Sequence, residues 1–332
     1  MDIRNRRAIR QCAAQKLEDA SGWPKQVVLI YAGISCLLAL LSAVLSLVLD
    51  NQIAGTGGLS GMGLRSVLTT IQSVLPIVQL LVMLCLGLGY HMVVLNLSRD
   101  RSAEPRTLLD GFRRFGPLLG ANVVQLCIYF AIGMALMYAS IYIFLFLPLS
   151  NSFYEVISPY LSSASILETG LALDEATAVQ AVSALMPMFW IFIILFGIAF
   201  IPIHYQYRMV LFCLADEPRM GPIKALRASR TMMRRNRFAL FRLDLSFWWY
   251  YLLEALVTVV CYGDVILPLV GVTLPWSGTV SYFVFYILSL VLQIVLYYFF
   301  MNRIYVTYAI AYDSLKPKPQ ENSVVLGNIF QM

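Results

Sequence analysis

The stretch VVLIYAGISCLLALLSAVLSLVL, Val27 to Leu49, runs for 23 residues without a charge. A helix of a soluble protein keeps a polar face for water; this segment has none, so it needs apolar surroundings on every side. At 1.5 Å per residue it reaches about 34 Å, enough to cross a hydrocarbon layer of about 30 Å. It is longer than the apolar core of a signal peptide and lacks a plain small-residue cleavage site, so it reads as a retained helix. Lipid offers no partner to an open strand edge, so a spanning segment is a helix or part of a closed barrel, and runs this long mean helices.

Five more such runs follow, at about 67–97, 117–147, 184–214, 243–262 and 280–311. The composition agrees: 60% hydrophobic and 13% charged residues, with mean hydropathy +0.75, far from soluble averages. The fold class is all-α, a polytopic membrane protein with six transmembrane helices in one domain, residues 1–315, followed by a flexible polar tail, 316–332. Runs longer than the crossing requires imply tilting, ends projecting into water, or kinks at Pro76, Pro187 and Pro202.

Charge sets the orientation. Of the 24 Lys and Arg residues, all but Arg65 fall before the first run, between runs two and three, around the link between runs four and five, or in and after the last part of run six. The other side carries Asp50, Glu155, Glu168, Asp174, Glu175 and Asp264. The positive-inside rule then puts both termini in the cytoplasm. The six cysteines show no CxxC spacing and read as small buried hydrophobes, without a disulfide or zinc site. His91 and His204, the only histidines, read as interface polarity.

A threefold pattern underlies the chain. A basic segment precedes each odd-numbered run: IRNRRAIRQCAAQKLEDASGWPK, RTLLDGFRRFGPLLG and GPIKALRASRTMMRRNRFALFRLD. Even-numbered runs end alike, YHMVVLNLSRD from Tyr90 beside YRMVLFCLADE from Tyr207, with YVTYAIAYDS from Tyr305 a looser third. Each unit reads as an amphipathic cytosolic helix followed by a transmembrane hairpin.

On a helical wheel Lys224, Arg227, Arg230, Arg234 and Arg235 share one face of the third basic segment, with Arg237 following. Ala225, Leu226, Ser229, Met232 and Met233 share the other, and Pro222 suits a first turn. Such a helix lies flat, apolar side on lipid or bundle and cations toward anionic headgroups or a membrane or cytosolic protein partner. The arginines precede a span rather than lie within one, which argues against a voltage sensor. Without interleaved exposed aromatics or a recognisable fold, no nucleic-acid partner is expected.

An ionisable group deep in a bilayer needs a reason to be there. Glu254 lies ten residues past Asp244, about 15 Å along a straight helix and near the midplane. Gln125 and Gln293 fall at similar depth, and with Asn122 the four are expected to form an intramembrane polar cluster. Its role is either interhelical glue with Glu254 protonated or a proton or cation relay. HExxH, Walker and GxSxG patterns and cofactor fingerprints are missing from the sequence, so no cofactor, metal site or catalytic residue is expected.

The basic helix ending in SGW, the turn LLDGFRRFG and above all KALRASRTMMRRNRFALFRLDLSFWWYYLL resemble an uncharacterised family of bacterial integral membrane proteins, the domain of unknown function 975 type. The family's most specific segment falls on Ala225, Leu226, Ser229, Arg230, Phe241, Leu243, Asp244, Leu245, Ser246, Phe247 and Trp248. NRFALF departs from the usual small or basic residue before the Phe. The resemblance covers most of the chain and implies a protein of the bacterial cytoplasmic membrane, without supplying an activity. The expected role is a non-enzymatic scaffold, accessory or membrane-organising protein. The alternative is a small-solute or ion transporter using Glu254. A tag at either terminus should be unreachable by membrane-impermeant reagents in intact cells and reachable after permeabilisation; labelling from outside would refute the topology.

Overall fold

A computed structural model describes residues 5–20, 23–55, 59–148, 150–161, 175–269, 271–272 and 278–316, and its regular structure is helical. The tail beyond Lys316 and residues 162–174 lie outside the described residues. Two compact units are present, residues 1–120 with 209–332, and residues 121–208.

In the first unit, α1 (Arg6–Glu18) is capped by Asn5, whose side chain accepts from the Ala8 N–H at 3.3 Å. Ile9 and Ala13, one turn apart, form its buried face. Helices α2 (Pro24–Gly55) and α3 (Leu59–Ser98) form the first hairpin. On α2 the residues Val27, Val28, Ala32, Cys36 and Ala43 point inward, while Leu29, Leu37, Leu41, Val44 and Val48 are exposed. Both faces are apolar, which is why the sequence shows no amphipathic period there. The exposed face is the kind of surface a bilayer covers.

The core lies toward the basic end of this unit. Leu86, Leu88, Tyr90, Val93, Val94 and Leu97 of α3 are buried, whereas Val67, Ile71, Val74 and Ile77 are exposed. A 3-10 turn (Pro105–Leu108) and the single-turn α4 (Asp110–Arg113) stand where the second amphipathic helix was expected, so that segment is a tight turn instead. It presses directly on the α3 backbone. A Cβ on Gly89 would run into the Leu108 carbonyl oxygen, and one on Gly111 into that of Cys85.

Helix α5 (Phe115–Phe146) leads into the second unit, which contains α6 (Ser150–Leu161) and α7 (Glu175–Tyr207) packed on each other. Cys127 of α5 is exposed, unlike the buried role expected of it. Helix α3 runs through Pro76 and α7 through Pro187 and Pro202 without a break. The fourth apolar run breaks after Tyr207, and α8 (Val210–Asp216) returns to the first unit.

There follow α9 (Pro222–Met233), α10 (Arg237–Leu245), α11 (Trp248–Cys261), α12 (Gly263–Leu269), α13 (Gly278–Leu296), a π-helical turn (Tyr297–Met301) and α14 (Asn302–Leu315). The fifth run is not one straight span over 243–262. The chain bends by 62° between α10 and α11, at a turn closed by Phe247 N–H donating to the Asp244 carbonyl at 2.8 Å. Asp244 is buried at this elbow and accepts from the Tyr308 hydroxyl, so its position is fixed by a side chain far along the chain. Helix α11 alone spans about 21 Å, too short to cross; with α12 the stretch from Trp248 reaches a sufficient length. Five helices are long and apolar enough to cross a membrane, and the bent pair makes a sixth when taken as one.

Gly111→Ala should lower stability by at least about 1–3 kcal/mol, because the added carbon meets backbone that cannot rotate away. Thermal melting in detergent reads this out against Gly197→Ala, which meets open space and should melt like the parent or slightly higher.

Candidate functional site

At the basic end of the first unit, Arg99 at the end of α3 joins the ends of α8 and α14. Its Nη1 donates to Asp216 Oδ1 at 2.5 Å, its Nη2 to Asp313 Oδ1 at 2.6 Å and its Nε to Asp313 Oδ2 at 3.4 Å. Asp216, its side chain only 7% exposed, also accepts from Lys316 Nζ at 2.6 Å and from the Tyr312 hydroxyl at 3.1 Å. Ser98 adds a bond to Asp313 at 3.2 Å. The hydrogen bonds from Asp216 and then Asp313 hold the Arg99 guanidinium above its ordinary pKa. Arg114 caps α8 by donating to the carbonyls of Leu214 at 2.6 Å and Ala215 at 2.9 Å, and burial lowers its pKa. Lys16 pairs with Asp100 at 2.6 Å, a largely exposed contact that contributes little.

Beside this clasp lies α9. Ala225, Leu226, Ser229 and Met233 are buried, and the helix packs on α8, so its apolar face is seated on protein. Met232 is only half-buried and borders a cavity. Lys224, Arg227, Arg230, Arg234 and Arg235 are exposed as expected; Arg237, which opens α10, is half-buried. This charge arrangement costs the helix stability. Lys224 sits in the first turn against the positive end of the dipole, and no acid offsets it there. Arg227 and Arg230, and Arg230 and Arg234, are like-charged pairs at helical spacing, each unfavourable by about 0.2–0.5 kcal/mol. The buried face of α9 offsets this.

Lys224, Arg227, Thr231, Arg234 and Arg235 form one wall of a cavity of about 1000 Å³. The end of α8 and the loop after it supply Cys213, Glu217 and Met220, and α14 with its C-cap supplies Tyr312, Leu315 and Lys316. A second cavity of about 410 Å³ is lined by Arg6, Arg235, Phe238, Ala239 and Arg242, with the Arg242 guanidinium 5.5 Å from the Phe238 ring centre. A third, of about 250 Å³, abuts the clasp and mixes Arg99, Arg101 and Arg114 with Asp110 and Asp216.

The expected midplane cluster divides between the units. Gln125 and Asn122 belong to the second, where Gln125 donates to the Tyr129 hydroxyl one turn away at 2.8 Å. Glu254 and Gln293 belong to the first. Gln293 bonds Tyr297, and both Tyr297 and Tyr250 lie within electrostatic reach of Glu254. The elbow also corrects the depth assigned to Glu254: it lies six residues into α11, about 9 Å from its start, rather than 15 Å along a helix from Asp244. None of the three cavities is lined by Glu254 or Gln293.

Sequence reasoning missed the clasp and a tyrosine network below Glu254. Tyr90 donates to Asn302 Oδ1 at 2.8 Å, Asn302 donates to the Pro24 carbonyl at 2.9 Å, and the hydroxyls of Tyr251 and Tyr308 lie 3.1 Å apart above Asp244. The acids ending the even-numbered runs were the available signal for the clasp. Among the described residues no group of three or more His, Cys, Asp or Glu could hold a metal ion.

The family model described as "Protein of unknown function (DUF975)" matches residues 1–318, and the chain belongs to that family. No curated protein and no solved structure matches the chain.

Arg99→Gln should cost on the order of 2–3 kcal/mol by leaving Asp313 without its cation and with Ser98, and Asp216 with Lys316 and Tyr312, below the full cost of a buried pair because the guanidinium is partly exposed. Thermal melting in detergent would show this, and adding Asp313→Asn should recover part of the loss. An Arg99→Gln variant melting like the parent would remove the clasp from the account.

Proposed function

We propose that this member of the DUF975 family is a six-span protein of the bacterial cytoplasmic membrane, non-enzymatic, with both termini in the cytoplasm. In this reading it acts as a scaffold, accessory or membrane-organising protein through its basic end. The supporting observation is the seating of α9: its apolar face is covered by protein, so five exposed cations remain for something outside the fold. At an anionic leaflet each such cation contributes about 1 kcal/mol. Exposed Ile223, Phe238, Leu245 and Trp248 on the same segments supply apolar anchors at interfacial depth. A protein partner docked on these cations is part of the same role, and nucleic acid is not.

The grouping of Glu254 with Tyr250, Tyr297 and Gln293 supports a second reading, transport of a proton, ion or small solute. The two readings part on Glu254→Gln, which should leave a scaffold unaffected and abolish any proton-linked flux into liposomes.

Protein extracted in mild detergent should retain anionic lipids in excess over their share of the membrane. Replacing Lys224, Arg227, Arg230, Arg234, Arg235 and Arg237 together by Gln should erase that excess in lipid mass spectrometry. Undiminished enrichment in the sextuple variant would refute the headgroup reading.

A further inference from the structure

The four cations of α9 that line the large cavity make no ion pair with any described residue, while the fifth cation there, Lys316, is bound to Asp216 at 2.6 Å. Glu217 is the only acid in the lining, and Lys316 stands 3.9 Å from it. Lys224 and Arg227 lie on one side of α9, Arg234 and Arg235 in the turn that follows it, and all four face the same cavity. Lys224 opposes the helix dipole from the first turn and Arg227 repels Arg230, so the helix gains nothing locally from either, while Arg234 and Arg235 sit at its C-terminal end, where the dipole favours a cation. A volume of about 1000 Å³ is at the upper end of small-ligand sites. The opposite wall is different in character, with the half-buried Met220 and Leu315 offering apolar surface.

Four converging cations exceed what one carboxylate, with a single charge and two oxygens, can satisfy. A terminal phosphate or diphosphate presents more charge and more acceptor oxygens, suited to the planar forks of arginine. We propose that this cavity binds a phosphate monoester or diphosphate, its anionic group held by Lys224, Arg227, Arg234 and Arg235 and its remainder laid against Met220 and Leu315. The shared chemistry admits a lipid phosphate or a soluble one. The proposal rests on the basic end being the working end, and adds that binding there is discrete and saturable rather than a diffuse attraction to a charged surface.

Arg230 separates the two ideas, because it is exposed on the same helix and does not line the cavity. The full chain, delipidated in detergent, is titrated with inorganic pyrophosphate, with short-chain phosphatidic acid and with short-chain phosphatidylcholine, following the thermal midpoint. A saturable rise with pyrophosphate assigns a soluble ligand; a rise with phosphatidic acid alone assigns a lipid; phosphatidylcholine should do nothing. In either case Arg227→Gln with Arg234→Gln should weaken binding at least tenfold and Arg230→Gln should leave it unchanged. The double variant relieves repulsion within α9, so it should fold; Lys224→Gln alone is the milder check and should weaken binding in the same sense. No saturable binding of either phosphate, a saturable rise with phosphatidylcholine, or equal losses from Arg230→Gln and the cavity variants, overturns the proposal. Loss of anionic-lipid enrichment in the sextuple variant alongside equal losses here would discard the cavity while leaving the surface role standing.

Discussion

One guanidinium holds the basic end together. Arg99, at the end of α3, reaches Asp216 at the end of α8 and Asp313 near the end of α14, so the ends of three helices meet at a single charge. Apolar helices surrounded by lipid gain little from burying apolar side chains against one another, because the lipid tails they displace are equally apolar. Directional contacts at their ends therefore carry more of the job of fixing which helix neighbours which. Lys316 and Tyr312 complete the Asp216 carboxylate, and Arg114 satisfies the carbonyls that end α8, so the clasp is bonded on several sides.

The same end of the first unit contains much of its tight packing. Gly89 and Gly111 let the turn before α5 lie directly on the α3 backbone, and α9 lays Ala225, Leu226 and Met233 against α8. A rigid base of this kind matters for the cations above it. Four like charges on one helix would fray an isolated segment, yet here the buried face fixes their spacing. The fold thus presents a pre-arranged positive wall instead of a flexible basic arm.

The apolar runs were legible because a helix built to cross a membrane must be greasy all round, and Val27 to Leu49 has that character over 23 residues. The two faces of α9 were legible for the opposite reason: it borders water, so its charges and its buried Ala225, Leu226, Ser229 and Met233 separate cleanly. The 62° elbow before Trp248 was not: Asp244 at its corner is held through its side chain by Tyr308, 64 residues away. Local pattern carries no trace of such a bond, and a span counted by apolarity alone runs straight through it. The clasp was half visible, in acids recurring at the ends of three runs. Its partner was not, since Arg99 is one arginine among many until the helices are brought together. Glu254 stood out by cost, but its neighbours Tyr250 and Tyr297 are ordinary residues of an apolar helix until they face a carboxylate.

The π-helical turn Tyr297–Met301 separates α13, which packs on α11, α12 and α2, from α14, which packs mainly on α1 and α3. A turn of this kind accommodates one residue more than an α-helical turn and so rotates everything beyond it by roughly 100°. It acts as a phase shifter in an otherwise continuous rod. The aromatic stripe that meets Trp249 through Phe300 and the polar stripe that puts Asn302 between Tyr90 and Pro24 need not share an angular register. One helix can thereby satisfy two sets of neighbours that a uniform screw would force into compromise.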